Sequence, residues 1–229
     1  MHIRIKTSGI ISAFVFLFFS VVLGEHGRGG SGDESLKKLT EGNSRFVSGK
    51  IEAKDISDAK RKELLSKGQH PFVTIVSCSD SRVPLEILFD QGMGDIFVIR
   101  AAGNVVDDVG LGSVEYGVEH VGTPLLVILG HQDCGAVKAT LAATEKPAGS
   151  IGAIVQKIKP AVDKAKASGK KTEDELMELA TRLNLKNVYH SMLQRSTVIR
   201  ERVHEKKLKI VLGEYYLDSG KVEFFEEVK

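Results

Sequence analysis

The stretch Phe72-Val73-Thr74-Ile75-Val76-Ser77-Cys78-Ser79-Asp80-Ser81-Arg82 decides the fold. Pro71 opens it, and residues 72–76 form a bulky, mostly β-branched run without polar alternation, as in a strand buried on both faces. Two runs of the same kind follow at residues 96–99 and 125–129. Between them lie helix-like segments at residues 84–89 and 112–121, and another helix is expected just after Gly135. Strands alternating with helices imply parallel pairing through right-handed crossovers. The expected architecture is therefore α/β, a mainly parallel β-sheet flanked by helices.

The flanking segments complete this plan. Upstream, Asp33 is read as the cap of a helix ending near Val47, with Leu36, Leu39, Phe46 and Val47 at helical spacing and Gly49 as its stop. A second helix is expected at residues 57–66, so the sheet is preceded by a helical N-terminal arm. Downstream, helices are expected at residues 151–167 and 173–205, the latter broken near Asn184. Residues 209–217 and 221–225, separated by Asp218-Ser219-Gly220, read as a C-terminal antiparallel hairpin. The lysine-rich residues 164–171 read as a solvated helix end and loop.

The first residues are of another kind. Arg4 and Lys6 precede an uncharged apolar run at residues 10–23 that includes Phe14, Phe16, Phe18 and Phe19. The run falls short of the ~20 residues that span a bilayer, and the order of charges and apolar residues is that of a secretory leader. Residues 1–24 are read as a signal peptide, residues 25–32, with four glycines, as a flexible linker, and residues 33–229 as one domain. At 229 residues, 42% of them hydrophobic and 27% charged, the chain can bury one ordinary core. Arg4 and Lys6 account for the whole formal charge of +2. A neutral mature chain without Trp has no electrostatic footprint for nucleic acid. The expected product is exported, periplasmic or secreted, with no stable membrane span once the leader is removed.

Both cysteines, Cys78 and Cys134, fall just past expected strands, and open α/β sheets bind ligands beyond the carboxyl ends of their strands. His131 precedes Cys134 by three positions, so both side chains converge as the chain turns from strand into helix. Two thiolates and an imidazole suit zinc and leave its fourth tetrahedral position open. Counting cysteines alone favours a disulfide in an exported protein. The polar, glycine-rich neighbours, Ser79-Asp80-Ser81-Arg82 and Gly130-His131-Gln132-Asp133-Cys134-Gly135, favour a site instead.

These two segments resemble the zinc motifs of the β-carbonic anhydrases, C-x-D-x-R followed later by H-x-x-C. The resemblance covers roughly residues 33–229, with Val98-Ile99-Arg100-Ala101-Ala102-Gly103-Asn104, Glu115-Tyr116 and the late hairpin in the expected order. It implies that Cys78, His131 and Cys134 are zinc ligands and that Asp80 and Arg82 are a catalytic pair. It also implies that Gln69, Phe97, Ala102 and Tyr116 line the substrate pocket, some of them reaching in from the partner subunit of a homodimer or larger homo-oligomer. Ala102 is smaller than the valine common at its position, which alters the pocket wall, and Gln132 replaces a small residue. With no Trp, the chain resembles the plant-like, permanently active subgroup rather than the one with a tryptophan-containing inhibitory bicarbonate site.

The implied activity is reversible hydration of carbon dioxide to bicarbonate and a proton. Zinc lowers the pKa of its bound water, and the resulting hydroxide attacks carbon dioxide. Two thiolates cancel the formal charge of the ion and weaken this pull, so an acceptor such as Asp80 that favours hydroxide helps. The guanidinium fork of Arg82 is suited to hold Asp80 through two hydrogen bonds, off the metal, although the same pair taken alone reads as a surface salt bridge. His120, following Tyr116 on an expected helix, is a candidate proton shuttle. Two other functions stay open at this level: hydrolysis of carbonyl sulfide or carbon disulfide on the same scaffold, and a non-catalytic zinc or redox protein.

The leader makes the first prediction: N-terminal sequencing of the natural protein should return a chain beginning at Glu25. An intact Met1 on a cytosolic product would reject it.

Overall fold

The computed structural model describes residues 30–145, 147–170 and 172–225. The leader and residues 25–29 of the linker lie outside the described residues. A five-stranded sheet runs in the order β2-β1-β3-β4-β5, with β1 Val73–Ser77, β2 Ile96–Arg100, β3 Leu125–His131, β4 Lys209–Tyr215 and β5 Val222–Phe225. The first four strands are parallel, and β5 returns antiparallel along β4. Both β1 and β3 are buried along their whole length. That burial explains their unbroken apolar runs, because a central strand covered on both faces has no solvent side to mark with polar residues.

Side chains leave these strands alternately for two cores. Val73 and Ile75 pack with Leu39, Leu85, Leu88 and Phe89 on the face covered by α1 Gly32–Val47 and α3 Leu85–Leu88. Val76, Leu126 and Ile128 pack with Val114, Leu185 and Met192 on the opposite face, under α4 Asp108–Glu115 and α7 Glu173–Arg195. Strand order reverses at the centre: from β1 the chain crosses to β2 on one side, then returns to place β3 on the other. The carboxyl ends of β1 and β3 therefore border a topological switch point.

Several expected boundaries move, each for a local reason. Ser31, not Asp33, caps α1, and a capping box with Glu34 satisfies two end groups there. Asp33 lies in the first turn and pairs with Lys209 at 2.7 Å. The helix expected at residues 57–66 runs Asp58–Lys67 behind Ser57 as its cap, and defines α2. The segment expected at residues 112–121 starts earlier, because Asp107 accepts a bond from the Gly110 N–H, and it ends in a π-helical turn at Tyr116–His120. After α5 Gly135–Ala142 and α6 Ile151–Lys166, α7 does not break near Asn184. The break falls at Ser196, whose hydroxyl accepts the Ile199 N–H and starts α8 Thr197–His204.

The N-terminal arm divides into a docked and an undocked helix. Leu39 of α1 is fully buried in the core, and Asn43 stitches the helix to the far end of the chain. Its amide donates to the carbonyls of Leu88 and Gly220 and accepts the Val222 N–H. By contrast, α2 buries no residue, and Ile56 and Leu65 are 69% and 86% exposed. No helix among the described residues is long and apolar enough to cross a membrane.

A buried carboxylate fixes the segment between these helices. Asp90, whose side chain is fully buried, accepts bonds from Arg45 Nε and, at 3.2 Å, the Glu52 N–H, and pairs with Lys54 Nζ at 2.9 Å. Burial opposes its charge, but Arg45 and Lys54 outweigh it and hold the pKa below the usual carboxylate value. Its stabilisation is thus present above the ordinary carboxylate range and disappears as pH falls through the depressed value. Asp90→Asn should lower unfolding free energy by about 2–3 kcal/mol at neutral pH, measured in urea, with the gap to wild type closing in acid.

Candidate metal centre

The register of β1 and β3 builds the site. Ser77 lies beside Leu129, so Cys78, the next residue after β1, emerges next to Gly130 and His131 at the end of β3. Gly130 admits close packing of α7: a Cβ there would meet Thr181 and Leu185 side chains at 3.1–3.3 Å. Beyond His131 the chain turns through Asp133, a non-glycine residue with φ of 53°, and Cys134 then caps α5. Cys78, His131 and Cys134 are all buried, with exposures of 4%, 0% and 1%.

Their donor atoms lie within 4.8 Å of one another, and the two sulfurs, both free thiols, are 4.0 Å apart. His131 Nδ1 faces the carbonyl of Gln132 at 2.9 Å. A proton on Nδ1 satisfies that carbonyl and leaves the Nε2 lone pair for a ligand. Nε2 is buried and has no hydrogen-bond partner among the described residues. The nearby Cys134 thiol, against the cost of burial and with help from His131 and the Gly103 N–H, brings Cys78 down to about 4. Cys134 is pushed up, since the Cys78 sulfur and burial both disfavour a second thiolate. Two sulfurs that cannot both ionise alone, and an imidazole nitrogen without a proton donor, fit a thiophilic dication.

A carboxylate is aimed at the same point. Asp80 Oδ2 lies 3.7 Å from His131 Nε2. Arg82 restrains it with the fork expected from sequence: Nε to Oδ1 at 3.0 Å and an Nη to Oδ2 at 2.9 Å, while the Arg82 backbone N–H also reaches Oδ1 at 2.9 Å. This guanidinium holds the Asp80 carboxyl at about 2 despite partial burial. Arg82 in turn donates to the carboxylate and the carbonyl of Asp133 at 3.3 and 3.1 Å.

The other expected site residues divide. Ala102 sits in a short 3-10 turn beside the cysteines, since the next residue, Gly103, donates its N–H to Cys78 Sγ at 3.2 Å. Phe97, Tyr116 and His120 form a separate column, with ring centroids 6.0 and 4.9 Å apart. Phe97 pairs with Thr74 on β1, four residues and thus about 13 Å upstream of Cys78 at ~3.3 Å per residue. Gln69 is exposed after α2. One chain therefore brings Ala102 to the cluster but leaves the aromatic column apart from it.

Three supports escaped the sequence reading. Arg100 donates to the carbonyls of Cys78 and Asp80 at 2.8 and 2.6 Å and pins the loop between them. Asp133 lies between His131 and Cys134, but its contact with Arg82 leaves no local mark in the sequence. Asn184, read as a helix break, instead donates to the Gly103 carbonyl at 2.9 Å; a polar residue midway along an apolar helix face was the available signal.

Comparison with known proteins gives a consistent result. Residues 73–222 match the family model described as carbonic anhydrase. Carbonic anhydrase 2 of Mycobacterium tuberculosis is 40% identical over 188 residues, covering 81% of this chain and 88% of that protein. The carbonic anhydrase of Mycolicibacterium smegmatis is 40% identical over 190 residues, covering 82% and 90%. Among solved structures, the β-carbonic anhydrase CafA of the fungal pathogen Aspergillus fumigatus superposes with a TM-score of 0.68 at 25% identity, covering 86% of this chain and 91% of that one.

The cluster predicts one divalent metal per native chain, with Cys78 and Cys134 unreactive toward thiol reagents until a chelator is added. Elemental analysis with thiol counting tests this; a quantitative Cys78–Cys134 disulfide in metal-free native protein would overturn it.

Proposed function

Since the chain belongs to the β-carbonic anhydrase family, we propose that it holds one zinc ion through Cys78, His131 and Cys134 and catalyses reversible hydration of carbon dioxide to bicarbonate and a proton. The observation that carries this reading is the Asp80 carboxylate, 3.7 Å from the free imidazole nitrogen of a two-thiol, one-imidazole cluster and restrained there by Arg82. Zinc in such a cluster supplies a Lewis acid that makes water acidic near neutral pH.

The chain's own groups account for the rest. Asp80 stays ionised throughout the neutral range because Arg82 depresses its pKa, so it acts as a hydrogen-bond acceptor that orients water rather than as a base that keeps the proton. Arg82 occupies both carboxylate oxygens and prevents Asp80 from closing on the metal. Water contributes its oxygen to the carbon of carbon dioxide, and the released proton passes to solvent buffer.

We place the chain with the plant-like, permanently active subgroup, on the absence of tryptophan. We further propose that it acts outside the cytoplasm, supported by the charge and apolar pattern of residues 1–24. A homodimer or larger homo-oligomer is supported by the exposed apolar residues Ile51, Ile56 and Leu65 on the arm. In such an assembly the Phe97–Tyr116 column lines a pocket completed by two subunits.

Hydration rates and zinc content of three variants test the clamp. Arg82→Ala should keep its metal yet lose most activity, because the freed Asp80 is an oxygen ligand that zinc accepts. Asp80→Ala should fall about 10²-fold or more, and the double variant should be no worse than Asp80→Ala. Near-wild-type rates in metal-replete Arg82→Ala would reject the mechanism.

A further inference from the structure

The two cluster thiols differ in their backbone support. Cys134 opens α5 with no side-chain hydrogen bond to the amides of that helix. Cys78 receives the N–H of Gly103, at 3.2 Å, from a turn of only three residues.

That turn is left-handed. Gly103 has φ 66° and ψ 23°, and Asn104 follows with φ 46°. Glycine enters this region without steric cost, and asparagine is among the non-glycine residues most often found there. The turn is also wedged, because a Cβ on Gly103 would stand 2.5 Å from Ile158 Cδ1 and 3.0 Å from Ala136 Cβ. Packing thus presses on this turn from α5 and α6, and the Asn104 N–H, donated to the Ala101 carbonyl at 2.8 Å, holds one edge of the Gly103–Asn104 peptide.

The carbonyl edge of that peptide is held from α7. Asn184, 1% exposed, directs its Nδ2 to the Gly103 carbonyl at 2.9 Å, and its Oδ1 has no hydrogen-bond partner among the described residues. An asparagine in a buried helix interior is unfavourable in both helix propensity and desolvation, so this bond is the one return the structure shows for its presence. The bonded carbonyl belongs to the peptide joining Gly103 to Asn104, the unit on which both left-handed conformations depend.

We infer that Asn184 is a positioning residue for the metal centre: by bolting the Gly103 carbonyl it keeps the Gly103 N–H on the Cys78 sulfur and so limits the negative charge that this thiolate donates to the metal. An N–H bonded to a thiolate withdraws electron density from sulfur, and groups one step removed from a metal tune its acidity in this way. The effect matters here because two thiolates would otherwise cancel the dication's charge. The inference rests on the zinc reading of Cys78, His131 and Cys134.

Cobalt(II)-loaded protein reads donor strength directly, through the thiolate-to-cobalt charge-transfer band. Asn184→Leu, which keeps the branched side-chain skeleton but lacks the donor, should shift that band to lower energy. Hydration by the zinc form should drop roughly 10–100-fold. Val188→Ala, a core truncation one turn along the same helix, should lower stability while leaving the band in place. An unmoved band in folded, cobalt-loaded Asn184→Leu overturns the inference and leaves the metal reading intact, whereas failure of wild type to take up cobalt at all sinks both. If Asn184→Leu does not fold, cadmium-loaded wild type decides: the metal nucleus should couple through sulfur to the Gly103 amide proton, and absence of that coupling in a loaded sample also overturns it.

Discussion

Parallel pairing of β1 with β3, in a register that sets Ser77 beside Leu129, is the constraint on which the rest depends. It brings the residues after two separate strands to one edge of the sheet, and the strand reversal there leaves a crevice for them to enter. A slip of one residue would turn Cys78 and His131 to opposite faces. The two apolar cores on either side of β1 and β3 prevent such a slip, because it would exchange the side chains buried in each. Core packing and site geometry are the same specification.

Electrostatics then makes the cluster dependent on a cation. With sulfurs 4.0 Å apart in a buried position, ionisation of Cys78 comes at the expense of Cys134, and only a positive ion lets both become thiolates. Asp80 is a further negative group at 3.7 Å from His131 Nε2, yet its charge is already matched by Arg82. The anions of the centre are therefore divided between two cations, with the sulfurs left to a metal and the carboxylate committed to a guanidinium. Arg100, joined to the Cys78 and Asp80 carbonyls, ties the two sets together through the backbone.

Much of this was legible in the sequence because it is carried by local signals. The apolar runs of β1 and β3 mark strands buried on both faces, and the spacing of His131 and Cys134 places them across one strand-to-helix turn. The Asp80–Arg82 fork lies within a three-residue window. What was not legible depends on contacts distant in sequence. Asn184 looks like a helix breaker until Gly103, 81 positions upstream, supplies its partner, while the true break at Ser196 rests on a side-chain cap with no nearby glycine or proline to mark it. Gln69, Phe97 and Tyr116 were named through resemblance, and the Phe97–Tyr116 rings pack with one another rather than with the cysteines.

The stitching of α1 to the terminal hairpin has a consequence for how the molecule is made. Asn43 needs the carbonyl of Gly220 and the amide of Val222, contacts separated by most of the chain, and Lys209 closes the same seam on Asp33. The seam cannot close until the last two strands have been made, so the first helix waits for them. Long-range closure of this kind slows folding, and it leaves the two ends of the domain to find one another only after everything between them has been synthesised.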